Sequence, residues 1–509
     1  MTRTLSRNMC GVLLALSATG ALAQPTPDDR TARVTALTPE IDKLYADLAN
    51  KQHLPGLVYG IVLDGKLVHV KTLGLADIAH QTPVTPTTEF RIASMTKSFV
   101  AMAALKLRDE GKLRLDDPVA QWLPELKALQ LPTTDSPVLT IRHLMTMSTG
   151  LPEDNPWGDR QMSLTNAQLE QFVGQGLSFS NAPGVQFEYS NLGFVLLGKV
   201  VSKAAGMRFQ DYVTRQILQP LGMTHTRWEY TQAAPGKLAL GYHWDHDAWV
   251  AEPILHDGDA AAMGGLITTA EDFARYVAFH LNAWPARSEP DPGPVRRATL
   301  REMQLPQVFA GYQSKATMSD EKTPNPKTNF YADGLNWTRD SRNVVTVGHS
   351  GGLPGYGSQY RFAPDYGVGV FAFANLRYAP VYAPTARVLD LLVERAALGP
   401  RAVAVSPVLA QRQQQVAQMV QTWAPDVTNA IVAENFFLDR AREDWVAAAR
   451  TQLVPIGRMV SVGPMKAENR LRGTFQLVGE KGAVDVTFTL TPEREPKVQH
   501  LELKPAAAR

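Results

Sequence analysis

The sequence predicts an α/β chain: a mixed, mostly antiparallel sheet flanked by helices, an all-helical lobe, and a small C-terminal α+β domain. Three observations predict it. Short strand-like apolar runs occur before residue 75 and again after residue 340, with a long helix-rich stretch between them, so strands from both ends must meet in one sheet. A Gly399-Pro400 break then precedes about 100 residues that carry their own helical and period-2 signals. The 509 residues are 44% hydrophobic and 20% charged, enough to bury a substantial core and unlike a disordered, collagen-like or coiled-coil chain.

Residues 1–23 read as a secretory signal. Arg3 and Arg7 form a basic start, Cys10 to Leu22 an apolar stretch too short to span a bilayer, and Ala21-Leu22-Ala23 a small-residue cut before Gln24. The expectation is a periplasmic or secreted protein with no stable membrane anchor. Cleavage would take the formal charge from +2 to 0, because both lost charges are arginines, and would remove the single cysteine. Near-neutrality supplies no draw towards nucleic acid.

The mature chain opens on a predicted helix from Pro39 to Leu48 with Thr38 as its N-cap. Apolar Leu57 to Leu63 and Leu67 to Val70 about Asp64-Gly65 predict a β-hairpin. A helix from Ser94 to Glu110 should stop at Gly111. Phe194 to Ala205 is apolar at helical spacing, and Thr268-x-x-Glu271 reads as a capping box opening another helix. Strands are predicted at Val344 to Val347, Gln359 to Phe362 and Val368 to Ala374. Leu398 to Pro407 reads as a boundary between a main domain, 24–397, and a small one, 408–509. The latter should hold helices at Val408 to Trp423 and Ala430 to Phe437, then strands at Gly473 to Val478, Val484 to Leu490 and Val498 to Leu503.

The chemistry concentrates at Ser94-Met95-Thr96-Lys97. Residues three apart on a helix share a face, so the hydroxyl and the amine become neighbours. Burial lowers a lysine's pKa and makes it a base, and Ser–Lys pairing is one route to an activated serine. S-x-x-K alone is common on solvated helices, but Phe90, Ile92, Ala93, Phe99 and Val100 surround this one with apolar residues. Tyr189-Ser190-Asn191, where Asn191 could also be a helix cap, and His349-Ser350-Gly351-Gly352, which could also be a turn, add a phenol, an amide and a glycine-backed strand edge. Acyl transfer needs such a set for proton shuttling, carbonyl holding and oxyanion donation.

These runs resemble the serine β-lactamase and penicillin-binding-protein superfamily, especially its class C β-lactamase, D-alanyl-D-alanine carboxypeptidase and family VIII esterase branch. Phe90 to Lys97, Gly111 to Val119, Leu139 to Met145, Tyr189 to Gly193, Pro220 to Met223 and His349 to Gly352 keep family order over about residues 38 to 390. The resemblance implies a β-lactamase/transpeptidase-like fold. It makes Ser94 the acylated nucleophile, Lys97 its proton acceptor and Tyr189 the partner activating the deacylating water. Asn191, His349, Ser350 and Gly351 would bind substrate, with Asn191 on its carbonyl, and the N–H groups of Ser94 and Gly352 would form the oxyanion hole. No cofactor or metal is implied.

One position departs from the β-lactamase pattern. Lysine, which engages the substrate carboxylate, is replaced by His349, mostly neutral at pH 7 at its ordinary pKa. The attraction for that carboxylate weakens, so β-lactam hydrolysis is expected to be weak or absent. The resemblance to esterases and D-amino-acid peptidases of this branch, which share the histidine form, implies esters, small amides or D-amino-acid peptides as substrates. Three other readings exist. Gly348-His349-Ser350-Gly351-Gly352 fits the G-x-S-x-G elbow of α/β-hydrolases with Ser350 as nucleophile, but that elbow needs a helix immediately after the serine. His243, Asp245, His246, His256 and Asp257 could hold a metal, though a pocket wall or solvated loop suits them better. An acylated, non-turnover penicillin-binding or sensor-like protein is the third.

Overall fold

Along Gly56–Leu63 the side chains alternate between two layers, and this alternation builds the sheet's two faces. Leu57, Tyr59, Ile61 and Leu63 join one core with Val34, Ile41 and Tyr45 of a leading helix and Val388 and Leu392 of the helix Tyr382–Arg395. Val58 and Val62 join the other core with Phe99, Phe273, Val277 and Phe371. The computed structural model describes residues 27–506. The signal read at residues 1–23 lies outside the described residues. No helix among the described residues is long and apolar enough to cross a membrane.

The main sheet has nine strands. In spatial order they are Thr82–Pro83, Lys66–Asp77, Gly56–Leu63, Val368–Ala374, Tyr356–Ala363, Val345–Leu353, Asn336–Asp340, Lys327–Tyr331 and Val308–Gln313. The two ends of the chain meet where Leu57 pairs with Ala374 and Leu63 with Val368. Every neighbouring pair is antiparallel, so the sheet is not mixed. The predicted hairpin turns at Asp64 (φ 48°) and Gly65 (φ 82°), the two positive values that a type I′ turn requires. Ala270–Leu281 covers the sheet beside the helical lobe, which includes Thr96–Asp109, Ile141–Met145, Asn166–Gly174, Asn191–Ala205 and Phe209–Val213.

Several element expectations are corrected. The leading helix runs Pro27–Lys51, with Pro39 inside it rather than at its start. Proline leaves the carbonyl of Thr35 without its helical N–H, and the Thr38 hydroxyl, expected to be an N-cap, donates to that carbonyl at 2.8 Å. The cap of Ala270–Leu281 is Thr269, accepting from the Asp272 N–H at 3.1 Å, one residue beyond the expected Thr268. Thr268 instead pairs with Phe90 in a short strand. The strands Val308–Gln313, Lys327–Tyr331 and Asn336–Asp340 had no sequence expectation, because their half-exposed faces carry Thr, Asn, Gln, Arg and Asp.

Two compact units are present, one spanning Arg30–Ala402 and a second built mainly of the residues from Val403 onward. The second holds helices Pro407–Thr422, Pro425–Ile431, Asn435–Asp439 and Arg442–Leu453. Its sheet has five strands: Met459–Val462, Lys466–Ala467, Arg472–Gly479, Gly482–Leu490 and Val498–Pro505. The single helix expected at Ala430 to Phe437 is broken where Val432 turns extended (ψ 151°) and its neighbour Ala433 donates to Val498.

Candidate active site

The serine turn is held from two sides. Ile92 donates to Leu266 at 3.0 Å, and its carbonyl accepts from Ser358 Oγ at 2.8 Å. Between them Ala93 adopts φ 49°, a left-handed conformation unusual for a residue with a Cβ. Ser94 follows in a single 3₁₀ turn, Ala93–Met95, that runs directly into the helix Thr96–Asp109. Below it, Ser98 Oγ donates to the Met95 carbonyl and meets the hydroxyls of Tyr276 at 2.8 Å and Tyr360 at 3.0 Å.

Lys97 is fully buried, and its Nζ donates to Ser94 Oγ at 2.9 Å, Asn191 Oδ1 at 2.7 Å and the Met263 carbonyl at 2.6 Å. Three acceptors satisfy an ammonium. They satisfy the neutral amine equally well: two N–H groups keep Asn191 and Met263, and the lone pair turns to the Ser94 hydroxyl. Burial pulls the Lys97 pKa down to about 7, opposed by the charges of Asp159 and Asp154. Near neutral pH this lysine can exist as a base facing the serine.

Tyr189 is half-buried, with its ring centroid 5.0 Å from Lys97 Nζ. Burial raises its phenol pKa, a hydrogen bond with Ser94 opposes that, and Asp159 and Asp154 add to the rise. Tyr189 is therefore a neutral donor and acceptor between nucleophile and solvent. Asn191 is not a cap. Ser190 caps the helix by accepting from Gly193 N–H at 3.2 Å, and Asn191 is its first residue. Its Oδ1 holds Lys97, and its Nδ2 donates to Asn155 Oδ1 at 2.6 Å. Asp154 receives the backbone N–H groups of Asn191 and Leu192 at 2.7 and 2.8 Å, anchoring this helix end.

His349 to Gly352 are not a turn but the far half of the strand Val345–Leu353. His349 is 1% exposed, and burial together with the Lys97 charge pulls its pKa down to about 3, so it is neutral. Its Nδ1–H donates to the Ser350 carbonyl at 2.5 Å, which leaves Nε2 to accept from the Tyr331 hydroxyl at 2.9 Å. Tyr331 was missed because no local pattern marks it. Ser350 points to the opposite, exposed side of the strand. The next element is the antiparallel strand Tyr356–Ala363, so the nucleophile-elbow reading of Ser350 is overturned: no helix follows it. At Gly351 a Cβ would lie 2.3 Å from the Ile92 carbonyl and 2.4 Å from Ser358 Oγ. Only glycine lets this strand press against the serine turn. That contact places Gly351 beside Ile92 and Ala93, at the start of the serine turn.

Two residues absent from the sequence reading close the site. Asp159 Oδ2 accepts from the Tyr378 hydroxyl at 3.0 Å. Their only sequence signal is the turn-rich run Pro152 to Gly158 before Asp159. The histidines considered for a metal are dispersed: His243 faces Glu252, His246 faces Asp245 and His256 faces Glu229. Among the described residues no three His, Cys, Asp or Glu converge as ligands.

The family model described as Beta-lactamase matches residues 41–395. Protein flp of Staphylococcus aureus (strain N315) is 30% identical over 347 residues, which are 67% of this chain and 64% of that protein. The chain thus matches less than two thirds of that relative's length. Beta-lactamase-like protein 2 of Dictyostelium discoideum is 32% identical over 254 residues, 48% of this chain and 46% of the relative. Among solved structures, the octameric penicillin-binding protein homologue from Pyrococcus abyssi superposes with a TM-score of 0.59 at 20% identity, covering 91% of this chain and 93% of that one. That likeness is one of fold.

Proposed function

The chain belongs to the Beta-lactamase family, and from that premise we propose that it is a serine hydrolase cleaving ester or small amide bonds through an acyl-enzyme on Ser94. The observation that carries the proposal is the 2.9 Å contact between the buried Lys97 Nζ and Ser94 Oγ. Neutral Lys97 takes the Ser94 proton as Oγ attacks the substrate carbonyl. The developing oxyanion is held by the N–H groups of Ser94 and Gly352, and Asn191 Nδ2 leaves Asn155 to meet the substrate's acyl-side carbonyl. Tyr189 relays: it gives its phenol proton to the leaving group while Lys97 returns the Ser94 proton to the phenol. In deacylation it takes a proton from the attacking water as it hands its own to Ser94 Oγ, which restores the Ser94 hydroxyl.

The reading extends to the substrate class. Neutral His349, its Nε2 occupied by Tyr331, offers no cation for a carboxylate. This supports an esterase or D-amino-acid peptidase type, with β-lactam hydrolysis weak or absent. The basic start and apolar run of residues 1–23 support export as part of the same proposal. A panel of p-nitrophenyl esters, D-alanyl peptides and a chromogenic cephalosporin, run on the parent and Ser94→Ala, tests the function. Turnover of an ester or peptide that vanishes in Ser94→Ala is expected. Turnover that survives the substitution refutes the nucleophile. A stable Ser94 adduct with no turnover identifies a sensor-like protein instead.

A further inference from the structure

The scheme above leaves Asp159 without a role. It is 3% exposed, and Gly158 before it is pressed against Asn191: a Cβ there would lie 2.8 Å from Asn191 Cβ and 3.0 Å from its Nδ2. Across the cleft, the Tyr378 ring lies over the oxyanion strand, where a Cβ on Gly352 would lie 2.7 Å from Tyr378 Cδ1. The Asp159–Tyr378 hydrogen bond therefore joins the Asn191 wall to the Gly352 wall, next to a serine that is only 8% exposed.

The two carboxylates here differ in employment. Asp154 is held by the backbone N–H groups that open the Asn191 helix. Asp159 has the Tyr378 hydroxyl, and the charges around it are Lys97, Asp154 and Arg160. Burial raises the Asp159 carboxyl above its ordinary range, with the Lys97 charge opposing the rise. In its ionised form it favours the ammonium form of Lys97 and so works against the base. A nearly buried carboxylate that opposes catalysis when the site is empty fits a site completed by a cation. The opposite wall supplies none, because His349 is neutral.

We propose that Asp159 is the specificity-determining residue of this site, taking a positively charged amino group on the acyl part of the substrate in place of the Tyr378 hydroxyl. The acyl part is specified because Gly158, the residue before Asp159, is pressed against Asn191, the residue read as holding the acyl-side carbonyl. The preferred donors are aminoacyl esters or amides with a free amino group. A charge-assisted N–H···O contact at a nearly buried carboxylate rewards the ammonium, whereas a neutral isostere gains nothing over the Tyr378 hydroxyl already in place and an anionic substituent is repelled. The proposal rests on Ser94 being the nucleophile.

Three methyl esters that differ at one α-substituent test it at pH 7 by proton release: alanine methyl ester (both enantiomers), its neutral isostere methyl isobutyrate, and the bulkier, anionic monomethyl methylmalonate. The readout is the ratio of kcat/KM values, so losses common to all substrates cancel. The parent is expected to favour the better alanine enantiomer over isobutyrate at least tenfold, and the methylmalonate least. Asp159→Asn should bring the alanine to isobutyrate ratio to within about threefold of unity. Tyr378→Phe, which frees Asp159 of its competing partner, should raise that ratio. A parent ratio below twofold, a ratio unchanged in Asp159→Asn, or one that fails to rise in Tyr378→Phe overturns the inference. Isobutyrate turnover that survives Ser94→Ala instead overturns the nucleophile assignment, so the two failures are distinguishable.

Discussion

Replacing Lys97 with methionine removes the amine while keeping most of the apolar stem, and the structure sets the size of the effect. At its ordinary pKa of 10.5, a lysine at pH 7 is neutral in only about 3 of 10,000 molecules. At about 7 it is neutral in about half, so burial multiplies the available base on the order of 10³-fold. General-base assistance itself contributes about 10²–10⁴-fold. Lys97→Met is therefore expected to slow acylation at pH 8 by about 10³-fold or more. The assay is the stopped-flow burst of p-nitrophenolate from a p-nitrophenyl ester. The competent form is the deprotonated one. The parent's acylation rate should therefore rise about tenfold per pH unit below about pH 7 and level above it, while the variant's profile stays flat at its low value. The substitution also leaves Asn191 Oδ1 and the Met263 carbonyl without Lys97, at about 1–3 kcal/mol for each buried acceptor. It equally removes the cost of burying a charge, so thermal unfolding of the variant is measured alongside. A folded Lys97→Met that keeps more than a tenth of the parent's acylation rate refutes the Ser–Lys reasoning. So does a parent profile that is level from pH 5 to 9.

Gly351→Ala inserts a methyl 2.3 Å from the Ile92 carbonyl and must push the oxyanion strand off the serine turn. It is expected to lower kcat/KM by about 100-fold, in line with a displacement near 1 Å, while unfolding changes by about 1–3 kcal/mol; parent-like kcat/KM would contradict the close approach. Asp333, with Oδ1 unpartnered, has its carboxyl pushed from 3.8 up to about 7 by burial and then Glu302. A raised folded pKa means stability present below pH 3.8 and lost as pH rises through about 7. At about 1.4 kcal/mol per pH unit, the loss approaches about 4 kcal/mol by pH 8. Asp333→Asn should accordingly gain about 2–4 kcal/mol over the parent in urea unfolding at pH 8 and lose most of that advantage at pH 4.

Local physics was legible in the chain. Ser94 and Lys97 stand three positions apart, and on a helical path that spacing alone makes the hydroxyl and amine neighbours whatever surrounds them. Asp64-Gly65 dictates its hairpin because both positions tolerate positive φ, and the apolar strands Gly56–Leu63 and Val368–Ala374 announce a buried sheet centre. Tertiary structure decided what those groups can do. Lys97 is held by a carbonyl 166 residues away and an amide 94 residues away, and its pKa follows from burial that no window of sequence contains. His349 reads as a turn residue titrating near its ordinary value until the strand buries it against Tyr331. The polar sheet strands from Val308 to Asp340 and the Asp159–Tyr378 contact carry no period of their own. They exist because distant segments are brought together, and contact energy over long loops leaves no mark on neighbouring residues.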